Sequence, residues 1–540
     1  MKAIDLYSGV GGWSLGMQMA GIDVVASYEW WSPANQTNQI NNGHKTNQVD
    51  IRALSLAELP LDIQIVVGSP PCTQFSYANR GGQGDLEDGF KDIYKFFEVV
   101  AHVKPKFWAM ENVPRVAGIL EAEFEKGGRL HRFAKLLRKD MRIEVVNMEE
   151  FGVPQRRARC IAGNFDFDLL RSYREYCPVR TLGKVMEELA SSRPKDPIYG
   201  RRALPQGLVD HELEMPLQHE EERMNREAKT HHPVYNNMPF PDPLDRPVRT
   251  ITALCTRVSR ESVVVQDERK VGTYRRLSVR ERASLQTFPI DFQFYGSSYQ
   301  AKLKLIGNAV PPLMTFYIAQ AMREVQPSEL IQPEEASKVF QGPSLPPPCT
   351  LPDTRGSNYS PDRRFRSAIP GLRFKSGMRF ELANSFSGGE AAWNVSFFYG
   401  SSKSIQELRL DARVLQVLRR ARELDPVRKA VEDRLTSLRL LMQTLDPSDV
   451  QRVWTRELAE GVHPYVIVDE IRDAAADVMG IFEQLGPLNS VLEALLDPGQ
   501  AGDVLGWKKL LLNTNAVVAG AAVGATTNDS LGYTRVRRAA

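Results

Sequence analysis

The chain has 540 residues, 42% of them hydrophobic and 25% charged, with 5 cysteines and a formal net charge of +3. The cysteines form no CxxC pair and no His cluster stands at zinc spacing, so neither a disulfide framework nor a metal site is expected. The start, MKAIDL, runs into a strand pattern instead of a basic and apolar leader, and no apolar run reaches the ~18 residues of a membrane span, so secretion and membrane spanning are not expected. A charge of +3 is too small to establish a nucleic-acid partner.

From the N-terminus, strand-like runs at 3–7, 24–28, 63–67, 107–110, 142–147 and 160–163 alternate with helical patterns at 14–20 and 93–103. That alternation predicts a mostly parallel sheet with helices on both faces. The first strand feeds the glycine-rich turn DLYSGVGGWSLG (5–16), whose Gly9 and Gly11 would let the main chain approach a nucleotide-like ligand at a helix N-terminus. Many α/β proteins carry such a turn only to pack helix on strand, so two later features matter. Glu29, 20 residues after Gly9, is placed to accept hydrogen bonds from ribose hydroxyls, and Asp50-Ile51 could flank an adenine. An isolated Glu29 would otherwise read as a solvated carboxylate.

The run 63–67 ends in GSPPCTQFS (68–76), where Pro70 and Pro71 fix one thiol, Cys72, at the carboxyl end of a buried strand. A lone thiol is as readily a buried structural cysteine as a nucleophile. The following segment, YANRGGQGDLEDG (77–89), holds four glycines and suits a mobile cover. Downstream, 166–245 is rich in basic and polar residues and prolines, among them Arg193, Lys195, Arg201, Arg202, Gln206, Arg223, Arg226, Lys229, His231 and His232, with a short helix expected at 181–189. Residues 326–366 read as a Pro- and Ser-rich linker. An accessory region, 367–520, begins with strand-like runs at 378–382 and 393–399 and continues with helical patterns at 405–424, 427–445, 450–460 and 466–485. The end, 521–540, reads as a loose tail.

Seven blocks in order resemble the cytosine-C5 DNA methyltransferase family of bacterial or phage type. They are DLYSGVGG (5–12), PPCTQFS (70–76), Glu111-Asn112-Val113, GVPQRRAR (152–159), Arg249-Thr250-Ile251-Thr252-Ala253, RLSVRERASLQTFP (276–289) and GNAVPP (307–312). The resemblance spans residues 1 to about 325 and implies an α/β, Rossmann-like S-adenosylmethionine-dependent methyltransferase fold. The catalytic domain would be 1–165 with 246–325, and 166–245 the target-recognition region. The α-rich C-terminal part has no counterpart in the resemblance.

The resemblance further implies that S-adenosylmethionine is held by Tyr7, Gly9, Gly11, Glu29, Asp50, Ile51, Pro71 and Asn308. It implies that Cys72 attacks C6 of a cytosine flipped out of double-stranded DNA, with Glu111 on the ring nitrogen and Arg157 and Arg159 lowering the thiol pKa. Asn112 and Gln155 are expected to hold loops. Thr73 departs from the family pattern, which most often has Gln after the cysteine; here Gln follows one step later, at Gln74. A bacterial cytoplasmic or nucleoid location and a monomeric state are expected. A tRNA cytosine-C5 methyltransferase and a non-catalytic DNA-binding regulator of the same fold are the alternatives.

Overall fold

Strand β1 (Lys2–Leu6) is buried from Ala3 onward, as a parallel strand covered on both faces must be. It is the third strand of a seven-stranded sheet in the order β3-β2-β1-β4-β5-β8-β6, next to the central β4, as seen in a computed structural model. That model describes residues 1–75, 85–191, 193–202, 209–230, 237–354, 359–374, 377–401, 404–496 and 504–539. The chain forms two units, one of 1–222 with 240–354 and one of 223–239 with 355–540.

In the first unit β1 is followed by α1 (Gly12–Met19), β2 (Asp23–Glu29), α2 (Ser32–Asn42), β3 (Thr46–Gln48), β4 (Ile65–Gly68), α3 (Leu86–Val103) and β5 (Phe107–Asn112). Next come α4 (Val116–Phe124), α5 (His131–Leu137), β6 (Arg142–Asn147), the two-residue β7 (Gln155–Arg156) and β8 (Ala158–Gly163). Strands β1 to β5 pair in parallel, whereas β8 runs antiparallel between β5 and β6. The register aligns Leu6 with both Tyr28 and Gly68, and Gly68 with Met110. The carboxyl ends of β1, β2, β4 and β5 therefore lie along one edge, where open α/β sheets place ligands.

Alternation along each strand divides the interior into two layers. Ile65 and Val67 of β4 face a core built with Trp13, Leu15 and Phe316, while Val66 faces the opposite one with Phe96, Phe97 and Trp108. In that second layer the Phe97 ring meets Trp108 at 5.4 Å and Phe124 at 5.0 Å, both edge-on, the arrangement aromatic quadrupoles favour.

The rest of this unit comprises α6 (Phe167–Ser172), α7 (Leu182–Ala190), the start of α8 (His219–Thr230), β9 (Val248–Arg249), β10 (Val264–Gln266), β11 (Tyr274–Arg276), α9 (Val279–Leu285), α10 (Tyr299–Asn308), α11 (Pro312–Met322) and the short α12 (Pro333–Ala336). Helix α7 starts at the expected place because the Thr181 side chain accepts from the Lys184 amide. Helix α11 lies directly on α1: a Cβ at Gly16 would stand 2.0 Å from Thr315 Oγ1, and that hydroxyl donates to Gly12 O at 2.8 Å. The last methyltransferase-like block thus returns beside the first.

The stretch expected as a linker is partly folded into this unit. Pro333, Ala336 and Phe340 are buried, Tyr295 Oη donates to Leu345 O, and Asp353 pairs with the buried Arg276 at 2.9 Å. Prolines here follow the surface of the unit, held by backbone and ionic contacts that a search for apolar periodicity does not register.

The second unit has an antiparallel meander, β12 (Arg366–Arg373), β13 (Arg379–Ser387), β14 (Glu390–Ser401) and β15 (Ser404–Arg409). Helices α13 (Ala412–Arg420), α14 (Arg428–Gln443), α15 (Pro447–Trp454), α16 (Pro464–Phe482), α17 (Asn489–Leu495), α18 (Val504–Leu511) and α19 (Thr514–Ala539) follow. The expected helix at 405–424 is in fact β15, then α13, then a 3-10 turn. The expected tail is also different: α19 occupies 514–539, and its residues 521–527 are buried. Its small side chains permit close approach to the sheet, since a Cβ at Gly520 would lie 2.6 Å from Phe380 Cε2 and one at Gly524 2.4 Å from Leu410 Cδ1. Gly and Ala content there marks tight packing, not looseness.

Candidate active site

The glycine turn leaves β1 through Tyr7 and Gly9, both at positive φ (54° and 53°), and Gly11 at 88°. Gly11 and Gly12 are closed in by protein: a Cβ on Gly11 would lie 2.2 Å from Asn38 Oδ1, and one on Gly12 2.1 Å from Val310 O. Gly9 is different, because a Cβ there would meet nothing within 4 Å. The turn therefore packs its second half against α2 and the 309–310 segment, and opens its first half toward the sheet edge.

Glu29 closes the same space from β2. One carboxylate oxygen accepts from the Gly9 amide at 2.9 Å and the other from the Trp31 amide at 2.7 Å. Burial pushes its pKa up against these hydrogen bonds. Tyr7 is buried and its hydroxyl donates to Asp92 O at 3.1 Å. Asp50 is exposed and caps a short 3-10 turn through the Arg52 amide at 3.0 Å, whereas the Ile51 side chain is in the core. Asn308, at the end of α10, is exposed.

Sequence reasoning passed over the groups that hold this turn. Asp5 accepts from both Ser14 N (3.1 Å) and Ser14 Oγ (2.7 Å), and its other oxygen is buried without a partner. Burial pushes Asp5 up to about 7. Asn38 reaches Ser8 Oγ and Ser27 Oγ, and Asn42 reaches Gly11 O and Asn38 Oδ1. Buried asparagines at four-residue spacing on α2 were the available signal.

Cys72 is half-buried beyond β4. Its loop is pinned at three points: Asn112 Nδ2 donates to Pro70 O (3.0 Å), Trp13 Nε1 to Ser69 Oγ (3.0 Å), and Phe75 N to Cys72 O (3.0 Å). Pro70 is buried and Pro71 exposed. Glu111, at the end of β5, pairs with Arg159 Nε of β8 at 3.0 Å, both side chains being nearly buried. Arg157 is buried beneath them and donates to Ile251 O (3.3 Å), Gly307 O (3.4 Å) and Ala309 O (3.0 Å). It ties the blocks near 157, 251 and 308 to one point. Gln155 has a parallel task, donating to Leu285 O and Gln286 Oε1 and accepting from the Ile251 amide at 2.7 Å.

The electrostatics differ from expectation in sign. Burial is the largest influence on the Cys72 thiol and raises its pKa; Glu111 raises it further, while Arg159 and Arg157 lower it without prevailing. Burial likewise lowers Arg157, reinforced by Arg159, to about 9. Burial thus opposes ionisation of the thiol, and the two guanidinium groups favour it.

Of the recognition candidates, Arg193, Lys195 and Arg202 are exposed. Arg201 pairs with Asp291 at 2.6 Å and Arg223 with Asp469 at 2.7 Å, and Lys229 is buried, so these three are taken up by the fold. Gln206, His231, His232 and residues 77–84 of the expected cover lie outside the described residues, while residues 86–89 open α3. Among the described residues no helix is long and apolar enough to cross a membrane, and no His/Cys/Asp/Glu group has metal-site geometry.

A parallel sheet carrying one antiparallel strand, with a glycine turn, a buried acid and a cysteine along its carboxyl edge, is the fold of a Rossmann-like methyltransferase. The chain belongs to the family of C-5 cytosine-specific DNA methylases, whose model matches residues 1–324, and its first unit is a DNA (cytosine-5-)-methyltransferase. It is 32% identical over 349 residues to the type II methyltransferase M1.HphI of Haemophilus parahaemolyticus, covering 60% of this chain and 87% of that protein. M.HgiDI of Herpetosiphon aurantiacus is 26% identical, covering 60% and 94%. Among solved structures the S. pombe Dnmt2 methyltransferase covers 60% of this chain and 99% of its own, at 18% identity and a TM-score of 0.42.

Proposed function

We propose that the enzyme methylates C5 of a cytosine flipped out of double-stranded DNA at a specific sequence, as the modification member of a restriction-modification system, with S-adenosylmethionine as cofactor. The observation that carries this reading is that the Cys72 loop, tied to β5 by the Asn112 Nδ2–Pro70 O hydrogen bond, meets the Glu111–Arg159 pair of β5 and β8 at one sheet edge. The type II names of the relatives support the restriction-modification context.

The residues present fit the cofactor: a Cβ at Gly9 would meet nothing within 4 Å, which leaves the main chain there open to a ligand, and the Glu29 carboxylate stands against the Gly9 amide. Glu29 would hold the ribose hydroxyls, Asp50 and Ile51 the adenine side, and Tyr7, Gly9, Gly11, Pro71 and Asn308 the remainder. When bound there it supplies an electrophilic methyl carbon on a sulfonium to the activated C5.

Cys72 supplies that activation. Cys72 passes its proton to Glu111 and forms the Sγ–C6 bond as the C5=C6 electron pair shifts toward C5, and Glu111 gives that proton to N3, leaving an enamine-like ring. Arg159 orients Glu111, and with Arg157 it stabilises the thiolate. After methylation the C5 proton leaves to water, breaking the Sγ–C6 bond restores both the thiolate and the C5=C6 bond, and N3 returns its proton to Glu111. A base within the duplex cannot meet this geometry, so the cytosine must leave the stack.

The test is transfer of labelled methyl to duplex DNA and to tRNA by wild type and Cys72→Ala. Transfer to duplex DNA that the variant abolishes is expected. Transfer to tRNA alone would overturn the substrate, and undiminished activity of the variant would overturn the mechanism.

A further inference from the structure

The second unit contains a cavity of about 220 Å³ that no methyltransferase chemistry requires. Its walls are apolar: Leu415 and Leu418 of α13, Leu424 of the following 3-10 turn, Val431 and Leu435 of α14, and Phe482 at the end of α16, with Ala522 of α19 among the lining residues. The position of Ala522 explains part of the space, since α19 is built of small residues that let it approach the sheet and leave room on its other side. Apolar cavities of about 150 Å³ hold benzene and stay dry when empty, so this one holds a body somewhat larger than a benzene ring.

The rim is not apolar. Arg419, Arg428, Glu432, Thr436 and Arg439 complete the lining. Arg428 is already committed, pairing with Asp425 and donating to Ala421 O (2.8 Å) and Leu418 O (3.4 Å), which ties the end of α13 to the start of α14. Arg419 is exposed and Arg439 half-exposed, and neither makes an ion pair among the described residues. Against them stands one carboxylate, Glu432, so the mouth carries an excess of positive charge. A guanidinium presents a fork of donors matched to a carboxylate, and charge-assisted hydrogen bonds of that kind are strong where the partner is partly desolvated.

We propose that this cavity is a binding site for a small amphipathic carboxylate, with an aliphatic or aromatic body among Leu415, Leu418, Leu424, Val431, Leu435 and Phe482 and its carboxylate between Arg419 and Arg439. A small molecule fits better than a macromolecule because the apolar volume is a compact, partly open recess between helices and suits one compact body. The site is independent of the cytosine chemistry and would remain if that reading failed.

The test is titration calorimetry of the full chain with sodium octanoate, 1-octanol and octylamine, three probes sharing one chain length and differing in head-group charge. Octanoate is expected to bind one site, octanol at least about tenfold more weakly through loss of the charged hydrogen bonds, and octylamine more weakly still. Ala522→Leu, which fills the cavity, is expected to abolish binding of octanoate. The double variant Arg419→Glu with Arg439→Glu, at positions where the fold makes little demand, is expected to weaken octanoate at least about tenfold and leave octanol unchanged. Failure of octanoate to bind, equal binding of octanoate and octanol, or unchanged binding in the double variant would each overturn the proposal. If Ala522→Leu loses its far-ultraviolet circular dichroism, the double variant decides.

Discussion

The two units place charge in opposite ways. The methyltransferase unit buries it: Lys302 meets Asp210 at 2.6 Å, Arg276 meets Glu214 at 2.7 Å and Arg275 meets Glu281 at 2.8 Å, all close to fully buried. In the second unit Arg379 meets Glu381 at 2.9 Å in a comparably buried pair, while helices pair at the surface, as in Arg434 with Asp477. Its interior is built from apolar side chains with a cavity left among them. The contrast shows what each can do. A polar interior fixes ionisable groups at the sheet edge, where bonds are made and broken, whereas an apolar interior with a charged mouth binds without reacting.

Four substitutions would break or sharpen this contrast. Cys72→Ala is expected to lower methyl transfer by roughly four orders of magnitude or more while leaving octanoate binding intact; loss of both in calorimetry would show that the units are not functionally separate. Lys302→Met leaves Asp210 buried without its cation, and should lower the unfolding free energy of the first unit by about 3–5 kcal/mol in denaturant titration. An unchanged midpoint would mean that these buried pairs are decorative.

Glu111→Gln is expected to slow methyl transfer by about 10²–10⁴ and, in the same protein, to speed iodoacetamide alkylation of Cys72 near neutral pH. Glu111 raises the thiol pKa while Arg159 and Arg157 lower it, so removing the carboxylate leaves the lowering influences less opposed. Slower alkylation would contradict the electrostatic account. The smallest effect expected is a change of pH dependence in Asp5→Asn. Asp5 is raised from 3.8 to about 7 in the folded protein, so the stability it contributes is complete below pH 4 and is lost as pH rises to about 7. The variant should lose less thermal stability than wild type between pH 4 and 7, and an identical slope would sink that reading.

Much of the first unit was legible because catalysis fixes residue type and order along the chain. Apolar runs gave the strands β1, β2, β4 and β5 and set Cys72 and Glu111 at the carboxyl ends of β4 and β5, whereas Arg157 and Arg159 reach that edge only because β8 runs antiparallel beside β5. The asparagine network under the turn was not read, because Asn38 and Asn42 act through buried hydrogen bonds visible only once α2 faces Gly11. The sign of the Cys72 shift was not legible either: motif spacing brings arginines near a thiol, but burial outweighs them. In the second unit, the Gly and Ala of α19 carried a misleading signal, since small residues look loose in sequence and pack tightly against Phe380 and Leu410. Its cavity has no sequence signature, being formed by residues more than a hundred positions apart, from Leu415 to Ala522.

The central claim is that Cys72 is the group that bonds to cytosine. Incubating the full chain with S-adenosylmethionine and duplex DNA in which 5-fluorocytosine replaces cytosine tests it most directly, because fluorine at C5 blocks the proton loss that precedes release. The account predicts a denaturation-resistant protein–DNA adduct that peptide mass spectrometry maps to Cys72 and that Cys72→Ala does not form. An active enzyme that forms no adduct, or one bonded through another residue, would contradict it.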